Sequence, residues 1–131
     1  MGTARRPAAA AQSKAGSFAR SLEGRSEITI TVTGRRTGKA IRLPVWFVAE
    51  RDGMWLLPIK GSRSHWYRNL RAKPSITVQP GRQRLIARAH TTTDRRIVRS
   101  VVGKFQAKYT PAEVARYFTR FDAAVKVPLK A

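Results

Sequence analysis

The chain has 131 residues, which is enough for one domain with a sizeable core. Lys and Arg number 27 against 7 Asp and Glu, and the formal net charge of +20 favours anionic partners such as a phosphorylated cofactor, nucleic acid or anionic lipid headgroups. The sequence contains no cysteine, which excludes disulfides and thiolate metal sites, and its apolar runs fall short of the ~18 residues that a membrane span needs. We expect a cytoplasmic protein and leave contact with a membrane surface open.

The N-terminal segment divides into two parts. Residues 1–13 are Ala-rich and of low complexity, and we expect them to be mobile, so that the folded domain spans 14–131. A short basic helix is predicted over 14–23, with Phe18 and Leu22 one turn apart. Such a helix would cover one end of the core or lie on a membrane.

Six runs of residues show the patterns of β-strands, namely 27–33, 40–49, 54–59, 75–79, 84–90 and 125–129. The second run is apolar on both faces, which predicts a buried central strand, although its Pro44 requires an edge or a bulge. Asp94 and Thr110 are the predicted N-caps of two C-terminal helices. Because antiparallel hairpins dominate the order, we predict an α+β fold, a six-stranded antiparallel split β-barrel with flanking helices.

The stretch from Lys60 to Pro74 combines a strand end, a basic turn and a short helix that ends at the proline. Ser62 or Ser64 is positioned to cap that helix, and the free N–H groups of its first turn favour an anion. Trp66 supplies a flat apolar wall beside them, a combination that suits a nucleotide-like cofactor. Asn69 could bind a ring edge or a backbone group, and an ordinary strand-to-helix connection with a packed tryptophan is the alternative.

A second basic turn spans Gly34–Lys39. Backbone N–H groups in a glycine-bounded turn can form an anion nest, to which Arg35, Arg36 and Lys39 add charge. The same pattern is also typical of a solvated hairpin turn. Tyr109 and Tyr117, near the C-terminal cap, either present hydroxyls to a substrate or pack in the core.

The sequence offers few catalytic groups of its own. Its two histidines are far apart, so no metal site is predicted, and its acids fall mostly in turns and caps. A P-loop and a dinucleotide fingerprint are both missing from the sequence. If the protein is an enzyme, a cofactor is expected to carry the reaction.

Several motifs together resemble the deazaflavin-dependent nitroreductase family, whose members are split β-barrel proteins related in fold to pyridoxamine-phosphate oxidases. The motifs are TGRRTGK at 33–39, LP at 43–44, DG at 52–53, KG at 60–61 and WYRNLRAKP at 66–74. The similarity covers roughly residues 27–125. It implies coenzyme F420 as the redox cofactor and hydride transfer to a quinone, a nitro compound or a similar small-molecule acceptor.

The resemblance also implies roles for individual residues. The phosphate region of the cofactor is expected at Arg36 with Thr37 and at Lys60 with Gly61 and Ser62, beside the further charges of Arg35, Lys39 and Arg42. Trp66 and Asn69 are expected to line the deazaflavin, and Tyr109 and Tyr117 to face the substrate.

Two departures from the family pattern leave FMN open as an alternative cofactor. The loop between Lys60 and Trp66 is shorter than the usual family loop. A family arginine of the second strand falls on Ile41, so that the neighbouring Arg42 points to the other face unless a bulge intervenes.

Two rival functions stand beside the F420-dependent oxidoreductase. The first is a non-catalytic protein that binds F420 or a flavin. The second is a basic nucleic-acid-binding domain, which is disfavoured because the basic residues are evenly spread, 12 in residues 1–65 and 15 in residues 66–131, and do not form an arm. A homodimer and a monomer are both compatible with the resemblance.

Overall fold

The computed structural model describes residues 18–129, so the predicted mobile segment 1–13 and the start of the predicted N-terminal helix lie outside the described residues. Residues 18–22 are helical and are called α1 here. The other helices are α2 (His65–Ala72), α3 (Arg95–Tyr109) and α4 (Pro111–Tyr117), and a 3-10 turn at Gly61–Arg63 precedes α2. The strands are β1 (Ile28–Thr33), β2 (Ala40–Val45), β3 (Phe47–Glu50), β4 (Gly53–Leu56), β5 (Ser75–Gln79), β6 (Leu85–Arg88), β7 (His90–Thr92) and β8 (Ala124–Pro128).

These strands form two antiparallel four-stranded sheets, with the orders β2-β1-β5-β6 and β3-β4-β8-β7. A hairpin joins β1 to β2 in an unbroken register that runs from Ile28 opposite Val45 to Thr33 opposite Ala40. The chain crosses from the first sheet to the second at Trp46, between β2 and β3, and again at Ala89, between β6 and β7. Helix α2 lies on the return path, between β4 and β5.

The α+β class is confirmed, but the six-stranded barrel is wrong, because residues 18–129 form eight strands in two sheets. The run 40–49, predicted as one buried central strand, is two strands that each lie at the edge of a sheet. The edge position accommodates Pro44, which has no N–H to donate. The run 84–90 is likewise divided, and the N–H of Ala89 donates to the carbonyl of Pro74 at 2.8 Å.

The main core lies between the sheets and is built from alternating strand residues. In β1 the predicted inward residues Ile28, Ile30 and Val32 are buried, while the threonines between them are half-buried. Phe18 and Leu22 of α1 are buried against the same cluster, as expected for a helix that covers one end of the core. Full burial of one such side chain contributes about 1.5–3 kcal/mol.

Helices α3 and α4 pack on the second sheet and form a separate apolar cluster with it. The carboxylate of Asp94 accepts from the N–H groups of Arg96 and Ile97, and the hydroxyl of Thr110 accepts from the N–H of Glu113, so both predicted caps are confirmed. Helix α4 ends at Tyr117, so Phe121 lies beyond it.

Candidate functional site

Helix α2 is held against the end of β4 by a short connection. Leu57 and Pro58 follow the strand, and the 3-10 turn then delivers the chain to the N-cap of α2 at Ser64. A side-chain cap from Ser62 or Ser64 was predicted for α2, but the helix has none. The hydroxyl of Ser64 instead accepts from the backbone N–H of Lys60 at 3.0 Å. This hydrogen bond fixes the direction in which Lys60 enters the turn.

The basic turn Gly34–Lys39 closes the hairpin between β1 and β2. The N–H of Gly34 donates to the carbonyl of Lys39 at 2.8 Å, and the N–H of Gly38 donates to the carbonyl of Gly34 at 2.9 Å. Gly38 has a φ of +73°, a conformation that glycine adopts without steric cost. The hydroxyl of Thr37 accepts from the N–H of Lys39 at 3.2 Å, so the turn is held by hydrogen bonds among its own residues.

Asn69 joins this turn to helix α2. Its side-chain oxygen accepts from the backbone N–H of Arg35 at 3.1 Å and from the guanidinium Nη1 of Arg35 at 2.8 Å. Asn69 is only 4% exposed, so the amide serves a backbone group, which is one of the two roles predicted for it. The contact places the arginines of the turn beside the first residues of α2.

An apolar groove of about 380 Å³ lies between β2, the end of β4 and helix α2. Its apolar walls are formed by Ile41, Leu43, Val45, Leu57, Ile59 and Trp66. Its polar lining includes Lys60, His65 and Asn69 at the helix side. The groove therefore offers a flat apolar surface with a cation and an amide at one edge.

Two hollows, of about 300 and 400 Å³, continue from the groove and are together called the arginine hollow here. Both are lined by Arg35, Arg36 and Arg68, and the outer one also by Arg71. The inner one shares Ile41, His65 and Asn69 with the apolar groove, so the apolar and the cationic surfaces are continuous. Four guanidinium groups with no carboxylate in the lining make this a strong site for an anion.

The 3-10 turn already holds a carboxylate of the chain itself. Asp122 accepts from the backbone N–H of Ser62 at 2.8 Å and from its hydroxyl at 2.6 Å, and it also accepts from Nε of Arg120 at 3.0 Å. Burial raises the pKa of Asp122, but the hydrogen bonds from Ser62 and Arg120 outweigh it and lower the pKa to about 2. Gly61 is buried beneath this contact, next to the backbone of Arg120.

Tyr109 lies in the core. Its hydroxyl accepts from the N–H of Phe47 at 3.0 Å and is 2.6 Å from the carbonyl oxygen of Ser26, and its ring stacks on Trp46 with centroids 4.1 Å apart. Burial raises the pKa of Tyr109 to about 12, although a hydrogen bond with the Phe47 backbone opposes the shift. Of the two roles predicted for this tyrosine, the structure shows packing.

Tyr117 is 46% exposed, and its ring meets that of Trp46 edge-on with centroids 5.5 Å apart.

Two of the predicted charges lie apart from the lined surfaces. The unbroken register of β1 and β2 puts Arg42 opposite Thr31, and strand alternation directs it to the face opposite Ile41 and Leu43. Lys39 is exposed at the end of the turn. Neither residue lines the groove or the arginine hollow.

Arg68 and Arg71 were not predicted as site residues from the sequence. The helical period could have indicated them, because residues three or four positions apart share a face of a helix. Arg68 lies three residues after His65 and three residues before Arg71. Asp122 was missed as the partner of Ser62 because the two residues are 60 positions apart, and no local pattern links them.

Neither a cluster of metal-binding side chains nor a helix that could span a membrane is found among residues 18–129. Within that range, no cluster of three or more His, Asp or Glu side chains could hold a metal ion. None of the helices in the same part of the chain has the length and apolar character to cross a membrane.

Comparison with solved structures places the fold in a known class. The chain is similar to a putative pyridoxamine 5'-phosphate oxidase from Listeria innocua, with a TM-score of 0.65 at 11% identity over 89% of this chain and 94% of that one. It is also similar to a protein solved as a domain-swapped dimer, with a TM-score of 0.63 at 21% identity over 92% and 98% of the two chains. The architecture is that of the split-barrel proteins.

The particular family follows from the sequence itself. Residues 3–126 match the F420H(2)-dependent quinone reductase family. An F420-H2 dependent reductase, FDR-A, is similar in structure with a TM-score of 0.62 and 26% identity, over 79% of this chain and 94% of that one. The curated proteins compared with the chain gave no match. The chain belongs to the F420H(2)-dependent quinone reductase family, and it is an oxidoreductase that uses coenzyme F420.

The groups that line the groove and the hollow fit such a cofactor. A deazaflavin needs a flat apolar surface, which the groove beside Trp66 provides. The phosphate and the acidic tail need cations, which the arginine hollow provides without a competing carboxylate in its lining. Both linings therefore suit the planar ring and the anionic tail of that cofactor.

Proposed function

We propose that this protein reduces a quinone, a nitro compound or a similar acceptor with F420H2, and that the cofactor lies along the apolar groove and the arginine hollow. The observation that carries the proposal is the continuity of the two surfaces, which share Ile41, His65 and Asn69. A planar ring joined to a polyanionic tail needs both surfaces in that order. When bound, reduced F420 supplies the hydride.

Different cationic residues would bind different parts of the cofactor. Arg35, Arg36, Arg68 and Arg71 would hold the anionic tail, and Lys60 would hold a phosphate oxygen at the edge of the groove. Asn69 keeps Arg35 oriented through the hydrogen bond at 2.8 Å, so it supports the anion site as well as the groove. Trp66 would cover one face of the ring.

Among the remaining sequence-predicted residues, Thr37 lines the inner hollow and can donate its hydroxyl to the tail. Lys39 and Arg42 contribute positive potential from outside the lined surfaces. Gly61 and Ser62 act through Asp122, because that carboxylate already takes both Ser62 donors and fixes the turn that presents Lys60.

The acceptor is proposed to enter beside the aromatic residues that follow β2. Tyr117 is exposed and contacts Trp46, which directly follows Val45 of the apolar groove. It is therefore the tyrosine that can present a hydroxyl to an acceptor, whereas the hydroxyl of Tyr109 is occupied by backbone groups.

Fluorescence titration with oxidised F420 tests the cofactor site. Lys60→Ala removes a charge-assisted contact worth about 1.5–3 kcal/mol, so the Kd should rise about tenfold or more. Arg84→Ala is the matched control, because it removes the same charge from an exposed position outside the lined surfaces. Equal affinity of the Lys60 variant and the control variant would refute the assignment of Lys60.

Oxidation of F420H2 by a soluble naphthoquinone and by a nitroaromatic compound tests the acceptor class. Turnover with either one, lost together with F420 binding in a double variant of Arg36 and Arg68, would support the proposal. Tight F420 binding without turnover of any acceptor would contradict it.

We also propose that the protein forms a homodimer, as the similar protein solved as a domain-swapped dimer does. Light scattering on a sizing column measures this directly. A mass near the 14.7 kDa of one chain at micromolar concentration would contradict it.

A further inference from the structure

A cavity of about 640 Å³ lies apart from the proposed cofactor surfaces. It is a cleft between α3, α4 and the segment 121–122, and it shares no lining residue with the apolar groove or the arginine hollow. Its volume falls within the range of small-molecule sites. The proposed function uses no part of it.

The floor of this cleft is apolar. It is formed by Val98, Val102, Val114 and Phe121, of which Val98 and Val114 are buried in the second cluster. Phe121 is 43% exposed, because it follows the end of α4 and does not enter the core. An apolar surface left open in this way favours an apolar ligand.

The two positive charges of the cleft both lie at the start of α3. Arg95 and Arg99 lie one turn apart at the start of α3, whereas Gln106 lines the cleft about 10 Å beyond Arg99 along that helix. Among residues 18–129, no carboxylate lies within ion-pair distance of either arginine. Asp122, the acid in the lining, is held by Ser62 and Arg120 instead.

We propose that this cleft is a second ligand site, which binds an amphipathic monocarboxylate with a single alkyl chain. The chain would lie along α3 on the valines and Phe121, and the carboxylate would bind Arg95 and Arg99. Guanidinium groups recognise carboxylates through paired hydrogen bonds, so the two exposed arginines favour a carboxylate over an uncharged head group. The lining positions of α3, from Arg95 to Gln106, follow the helix axis, which suits an extended chain with its charge at one end.

Isothermal titration of the full-length protein with dodecanoate, below its micellar concentration, tests the proposal. We expect one saturable site whose Kd rises about tenfold or more in the double variant Arg95→Gln/Arg99→Gln, since hydrogen bonds to a charged group are lost. Ala115→Phe, made at an exposed lining position of α4, should obstruct the cleft and abolish binding. Oxidised F420 should bind both variants as it binds the unaltered protein, which also shows that they fold.

Three controls distinguish a carboxylate site from a general apolar surface, a membrane contact and a dimer interface. Equal affinity for 1-dodecanol would show that the arginines do not recognise the ligand, and would overturn the proposal. Binding to anionic phosphatidylglycerol vesicles without saturable binding of dodecanoate would replace the site by a membrane-contact surface. If Ala115→Phe converts a dimer to a monomer on a sizing column, the cleft is an interface between copies, and the proposal is also overturned.

A second readout locates the ligand within the molecule. Methyl resonances of Val98, Val102 and Val114 should shift with dodecanoate and saturate at the same site occupancy that the titration measures. Those of Val45, in the apolar groove, should remain unchanged. Shifts confined to the groove would refute a separate site.

Discussion

Replacing Gly61 by alanine should damage both the stability and the cofactor site of this protein. Gly61 has a φ of +55° and lies directly under the contact between Ser62 and Asp122. An added Cβ would overlap Oδ1 of Asp122 and would come within 3.1 Å of the carbonyl oxygen of Arg120. The second atom belongs to the backbone, so rotating side chains cannot relieve the whole clash.

The expected loss has two parts. Forcing a residue with a Cβ into the left-handed region costs about 1–2 kcal/mol. Displacing Asp122 leaves the donors of Ser62 without their charged acceptor, which costs a further ~1–3 kcal/mol. The free energy of unfolding should therefore fall by about 2–5 kcal/mol, a large fraction of the stability of a domain of this size.

Urea unfolding followed by tryptophan fluorescence measures this loss. Gly103→Ala serves as the control, because Gly103 lies inside α3 and an added Cβ would meet no atom within 4 Å. That variant should gain about 0.5–1 kcal/mol. A loss below about 1 kcal/mol for Gly61→Ala, or equal changes in the two variants, would refute the role given to the turn. The F420 titration of the surviving folded protein then shows whether Lys60 has moved.

Two further predictions concern Tyr109, which was predicted at the site, and Asp122, which no sequence pattern indicated. Tyr109→Phe leaves the buried N–H of Phe47 without its acceptor, so the free energy of unfolding should fall by about 1–3 kcal/mol. The Kd for F420 should stay the same. A variant with full stability and lost turnover would instead favour a substrate role for Tyr109. The pKa of Asp122 is lowered from 3.8 to about 2, so its carboxylate stabilises the fold above pH 3.8 and loses that effect as the pH falls through 2. Its side chain is 38% exposed, so screening reduces the contribution to about 1 kcal/mol, and acid unfolding curves of Asp122→Asn should lack this step.

Local patterns were sufficient for most of the elements. The alternation of Ile28, Ile30 and Val32 predicted a strand with one buried face, and that face is buried. Asp94 and Thr110 were predicted as helix caps from their immediate neighbours, and both side chains accept from the N–H groups of the turn that follows. These features depend on interactions between residues a few positions apart, so the residue types in a short stretch of sequence are enough to predict them.

The division into two sheets could not be predicted in the same way. The runs 40–49 and 84–90 each have the pattern of one strand, but each changes sheet in its middle, at Trp46 and Ala89. A period of two shows which side chains share a face, and it contains no information about the partner strand. Only the packing of the two sheets decides where one strand ends and the next begins.

Sequence motifs were enough to indicate the family, the two basic turns, and the spacing of Trp66 and Asn69 on one short helix. Folding in three dimensions was needed to bring the turn at Arg35 to Asn69, 34 positions away, and so to form one continuous surface from two separate motifs. Folding also pairs Ser62 with Asp122, 60 positions away, through the N–H and hydroxyl of the serine. It likewise pairs the hydroxyl of Tyr109 with the backbone of Phe47, 62 positions away. Contacts over such distances arise from the sheet pairing, and buried polar groups take whichever partners that pairing places within reach.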